Sequence, residues 1–127
     1  MSVKQRVRLI PLALVVLSLL CSIFLPRAGW YLAGHSLALV AALAVPASFW
    51  WFSRGAAAPN KTLRVALLAG LCVPAAVLAC AEAIMLSYGS VEGAAADIGG
   101  TFLWLVGGLG LLSLSGLAAF LWPHKER

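Results

Sequence analysis

Carboxylates are scarce in this chain. Glu82, Glu92, Asp97 and Glu126 are its whole acidic complement, and charged residues of either sign make up 10% of 127 residues. Soluble domains carry about a quarter charged residues. So little polar surface cannot cover a water-soluble globule. Histidine is scarcer still, with only His35 and His124. His124 follows Trp122-Pro123 in a basic tail and reads as solvated, so a haem held by two buried histidines has no second ligand. No H-E-x-x-H or other ligand spacing occurs, and no metal or other cofactor is expected. A G-x-S-x-G elbow and a phosphate loop are also missing. Ser18, Ser22, Ser36, Ser113 and Ser115 lie in apolar runs with no base nearby, where packing or bonding to their own helix explains them. Catalysis is therefore not expected.

Cysteine is sparse too. Cys21, Cys72 and Cys80 form no C-x-x-C pair. On one helix, Cys72 and Cys80 would lie about 12 Å apart along the axis, too far to bridge. All three read as small packing residues.

What is abundant is hydrocarbon. The chain is 63% hydrophobic, with a mean hydropathy of +1.01. This is the composition of an integral membrane protein in contact with the lipid bilayer. The net charge of +5 is no sign of nucleic-acid binding, because the basic residues cluster at the edges of apolar runs.

Four runs are long enough to cross a bilayer. They cover residues 9–25, 30–52, 63–87 and 101–122 of a single integral membrane domain. The first begins like a signal peptide, with Lys4, Arg6 and Arg8 ahead of an apolar stretch. Its 17-residue run is long for a signal core and no A-x-A-like site follows, so a retained span is expected. The second is bracketed by Trp30-Tyr31 and Trp50-Trp51-Phe52, about 31 Å apart along a helix, as for two interfacial belts. Trp122 is expected at the interface that ends the fourth.

"LPRAGW" (25–30) leaves only a tight turn between the first two spans, with Pro26 and Gly29 suited to it. "GSVEGAAADIGG" (89–100) joins the last two and reads as a mobile, small-residue loop. Within it, Glu92 reads as solvated and Asp97 as the start of the fourth helix. Lys4, Arg6, Arg8, Arg54, Lys61, Arg64, Lys125 and Arg127 fall on one side of the implied topology and Arg27 alone on the other. The positive-inside rule then puts both termini in the cytoplasm. The fold class is an all-α, antiparallel bundle of four transmembrane helices, N-in and C-in. Compactness and the lack of eukaryotic sorting signals point to a bacterial inner membrane.

Helices in lipid associate through small residues. The fourth span offers Gly99, Gly100, Gly107, Gly110 and Ser113 within an arc of about 140°. The third offers two ribbons, Ala75-Ala79-Ala83 and Cys72-Ala76-Cys80. These faces could meet inside the bundle, or serve a homo-oligomer or a membrane-protein partner. Pro46 and Pro74 lie inside spans and are expected to bend them.

One carboxylate stands at membrane depth. Glu82 lies about 10 Å from the centre of its span, and His35 about 8 Å from the centre of its own, in the same leaflet. Two readings follow. Glu82 and His35 approach each other inside the bundle, with Tyr31 one turn outward adding a hydroxyl. Or Glu82 is interfacial or purely structural: with the third span slid to Leu63–Glu82 the carboxylate simply snorkels to water; this blander reading is the favoured one. The function expected is that of a non-catalytic subunit, accessory or immunity-type partner of a membrane assembly. The alternative is a small oligomeric transporter or channel that uses Glu82 and His35 as a proton- or ion-linked site.

Overall fold

The structure, a computed structural model, describes residues 3–54 and 61–122. His124, Lys125, Arg127 and residues 55–60 of the second loop lie outside the described residues. Four long helices form: α1 (Val3–Arg27), α2 (Tyr31–Arg54), α3 (Lys61–Tyr88) and α5 (Ile98–Leu121). α1, α2 and α3 extend past the apolar runs that mark them into flanking Arg, Lys and Gln residues, which are good helix formers. In hydrocarbon only helices and closed barrels satisfy their own backbone groups. Each long helix has an 18-residue window of mean hydropathy 1.7 to 2.6, of which only 22% to 39% is buried inside the chain. The rest is apolar surface suited to lipid. The chain is a multi-pass membrane protein built as a helical bundle.

The first turn has a specific stop signal. The Trp30 amide donates to the Leu25 carbonyl at 2.9 Å and the Gly29 amide to that of Pro26 at 3.3 Å. That is a Schellman motif, and it requires the left-handed backbone that Gly29 adopts at φ 94°. Pro26 lies inside α1 rather than in the turn, so the connection is shorter than "LPRAGW" suggested. Gly89, at φ 72°, marks the end of α3. The stretch after it is not a plain loop, because α4 (Val91–Ala95) forms there. Ser90 caps α4 by accepting from the Gly93 amide at 3.2 Å, and Asp97 caps α5 by accepting from Gly100 at 2.8 Å.

α1 packs on α2 and α5, and α3 packs on α2 and α5. Val15, Val45, Phe49, Leu71, Leu78 and Leu111 form the centre of the core. Two glycines set the closest approaches. A methyl group on Gly34 would lie 2.7 Å from Leu25 Cβ and 2.9 Å from the Cys21 carbonyl oxygen, so α1 and α2 touch there. One on Gly107 would lie 2.6 Å from the Leu78 backbone nitrogen, so α5 lies directly on the α3 backbone. Gly110 faces the ring of Pro74, and α2 and α3 both continue through their internal prolines.

The small-residue face of α5 differs from the expected one. Gly100 and Gly107 are buried and Gly110 is half-buried, but Gly99 and Ser113 are exposed, while Gly108, Ser115 and Ala118 turn inward. In α3 Ala75 is buried and Ala79 half-buried, whereas Cys72, Ala76, Cys80 and Ala83 face outward. Trp122, at the end of α5, turns inward. It is 2% exposed and meets Phe49 edge-on, with ring centroids 5.7 Å apart.

Candidate functional site

All four long helices send a side chain to one point. Glu82 has no exposed surface, so its carboxylate turns into the bundle rather than snorkelling to water. Its turn of α3 sits on the buried stripe of Leu71, Ala75 and Leu78, so the carboxylate is carried inward with them. His35 is brought inward by α2 on the stripe of Gly34, Ala38 and Ala42, whose small side chains leave room for the ring. Its Nδ1 lies 2.5 Å from Glu82 Oε2. The other carboxylate oxygen accepts from the Trp104 indole nitrogen of α5 at 3.0 Å. The same N–H is shared with Ser22 Oγ of α1 at 2.9 Å.

Tyr31 does not bond the pair. Its ring meets His35 edge-on at 4.6 Å, and its hydroxyl donates to the Met85 carbonyl. That carbonyl lies in the last turn of α3, where carbonyls lack helical partners. Tyr31 therefore ties α2 to the end of α3 and holds the imidazole from one side.

Beside the pair is a cavity of about 190 Å³. His35, Tyr31, Met85, Trp104 and Ser22 form its inner wall, and Arg27, Val91, Ala94 and Thr101 its outer part. Arg27, Val91 and Thr101 are exposed, so the cavity leads from the surface to the imidazole. Glu82 does not line it and stands behind the ring.

This arrangement fixes the roles of the atoms. An ionised Glu82 has only acceptors to offer, so His35 donates Nδ1–H to it. Nε2 is then the free polar atom of a ring that lines the cavity. Neutral, it presents a lone pair; protonated, it presents an N–H. Among the described residues no group of three or more His, Cys, Asp and Glu side chains converges to hold a metal ion.

Near the site, Asp97 accepts from the Tyr88 hydroxyl as well as from Gly100. The Tyr88 hydroxyl, then the backbone amide of Gly100, hold the Asp97 carboxyl below the ordinary range for aspartate. This clasp closes the connection that carries α4 along the cavity.

Depth alone identified His35, Glu82 and Tyr31. Trp104 and Ser22 were passed over, one as part of an apolar run and the other as a packing serine. Trp104 stands only three residues into the 101–122 run, where a tryptophan reads as an interfacial belt residue, so nothing local marks it as a partner of Glu82. Comparisons with protein families, curated proteins and solved structures find no match to this chain.

Proposed function

We propose that this chain is a small inner-membrane transporter that moves a solute together with protons through the His35–Glu82 pair. The observation that carries the reading is the buried pair 2.5 Å apart, with its histidine on the wall of a cavity that reaches the surface. A structural ion pair needs no such cavity. Ionisable groups at membrane depth mark ion and proton pathways more often than they mark stability.

An antiparallel arrangement with both termini in the cytoplasm goes with this reading. Arg8 Nε of α1 donates to the Ala119 carbonyl near the end of α5 at 2.8 Å. Arg64 of α3 bonds Ser53 of α2 at 2.8 Å and stacks on Trp50. Those contacts support a basic, cytoplasmic end. The Trp104–Ser22 and Tyr31–Met85 bonds support an opposite end, where Arg27 is the only basic residue. The cavity then opens outward, in a bacterial inner membrane. A reporter fused after Gly93 is expected on the outer side.

The transport test uses vesicles that contain the purified chain and a pH-sensitive dye, under an imposed pH gradient and a panel of small solutes. Solute-dependent proton entry is expected for the wild type and not for Glu82→Gln. If no solute separates the wild type from Glu82→Gln, the reading is wrong.

A second reading is supported by α3. Its Cys72-Ala76-Cys80 ribbon is the kind of close-packing strip that helices use in lipid, and it faces away from the bundle. It suits a non-catalytic subunit, accessory or immunity-type partner of a larger membrane assembly. A stoichiometric membrane partner on purification in mild detergent, with no flux from the isolated chain, would favour it.

A further inference from the structure

We infer that the cavity beside His35 binds a small monocarboxylate with an apolar body, and that this anion and one proton bind together. This rests on the transport reading and names its solute class. Most of the wall is apolar, with Ile23, Pro26, Met85 and Trp104 among its lining side chains. Arg27 is the only formally charged side chain on that wall, and among the described residues it has no ion-pair partner. A guanidinium at the mouth presents a fork that fits a carboxylate, and it repels a cation.

Charge then couples the anion to a proton. With His35 neutral, the pair behind the wall carries the negative charge of Glu82, which would repel a second carboxylate in a low-dielectric site. A proton taken from water through the mouth onto Nε2 cancels that charge. It also turns Nε2 from an acceptor into a donor aimed at the anion, while Nδ1–H stays on Glu82. Other groups near His35 do not compete for this role. Tyr31 on α2 is engaged with the Met85 carbonyl. α1 contributes Arg27 as its only titratable lining residue; α4 lines the cavity with Val91 and Ala94, and α5 with Thr101 and Trp104, none of them titratable. Tyr88 and Asp97 bond each other and do not line the cavity.

Benzoate, benzyl alcohol and benzylamine share one apolar body and differ in charge. Each is titrated calorimetrically into the full chain in an uncharged maltoside detergent, in two buffers of different ionisation enthalpy. Benzoate is expected to bind in preference to the other two, with uptake of about one proton and an affinity at least about tenfold higher at about pH 5.5 than at about pH 8. Arg27→Gln, at an exposed position, is expected to weaken benzoate about tenfold at both pH values and to leave the proton uptake in place. His35→Gln is expected to remove the uptake. Preference for benzylammonium, benzoate binding without proton uptake, or unchanged affinity in Arg27→Gln would each overturn the assignment. Proton-coupled flux of other solutes without benzoate binding overturns the solute class and leaves transport standing. Benzoate binding with proton uptake but no flux of any solute overturns transport and leaves the binding site standing.

Discussion

The His35–Glu82 contact can be weighed by a double-mutant cycle with leucine. Glu82 has no exposed surface and its two oxygens are served by His35 and Trp104. His35→Leu removes one partner and leaves the carboxylate short of it. Breaking a buried pair from one side costs about 3–5 kcal/mol. Glu82→Leu leaves the imidazole Nδ1 unpaired, while Trp104 keeps Ser22 as an acceptor; an unsatisfied buried group costs about 1–3 kcal/mol. The double variant strands nothing at the pair and fills the space with hydrocarbon, so its net cost is expected to stay below about 2 kcal/mol.

The coupling energy from the cycle is then about 2 kcal/mol or more. That size is diagnostic, because neutral hydrogen bonds between membrane helices average only about 0.6 kcal/mol in such cycles. The measurement is equilibrium unfolding by steric trapping in bicelles at neutral pH. A coupling at or below about 0.6 kcal/mol would refute the claim that a charge-assisted pair is buried here. Additive single costs, within about 0.5 kcal/mol, would show that the two side chains share no interaction at all.

Gly107→Ala places a carbon 2.6 Å from the Leu78 backbone nitrogen, so α3 and α5 must separate, at about 1–3 kcal/mol in the same unfolding assay. Gly116→Ala, which meets nothing within 4 Å, is expected to be neutral or slightly stabilising. Ser18 Oγ donates to the Ala38 carbonyl at 2.7 Å and is buried; Ser18→Ala is expected to cost about 0.5–1.5 kcal/mol. The Asp97 carboxyl is held below its ordinary range, so its contribution is full above about pH 4 and is lost as pH falls through the lowered value. The Gly100 amide resonance should therefore stay constant from pH 7 to about pH 4 and move below that, with the onset at higher pH in Tyr88→Phe.

The four spans were legible because lipid imposes one rule on the backbone, and each apolar run meets it in one way. Turn chemistry was legible for a similar local reason: Gly29 at positive φ and Asp97 as an N-cap follow from residue type. Helix rotation was not. In water a helix declares its buried face by being apolar on that side alone, but here both sides are apolar. The Cys72-Ala76-Cys80 ribbon reads as fit for packing as the Ala75-Ala79-Ala83 ribbon, yet of these six residues only Ala75 is fully buried, on a stripe with Leu71 and Leu78. The inward turn of Trp122 is hidden in the same way, since nothing local separates a tryptophan that faces lipid from one turned onto Phe49.

The same ambiguity lets Glu82 read from sequence as a residue that snorkels outward. Hydropathy measures what a carboxylate costs alone, and alone the cheapest place is the membrane edge. The cost changes when three other helices each supply a group. His35 pairs with one oxygen, Trp104 donates to the other, and Ser22 shares the Trp104 N–H. Yet such a pair is rarely more stabilising than hydrocarbon of the same size, so stability is a weak reason to keep it. The cavity supplies a stronger one. The fold spends three helices to hold a carboxylate behind an imidazole, and then leaves that imidazole beside an open path rather than sealing it with apolar side chains.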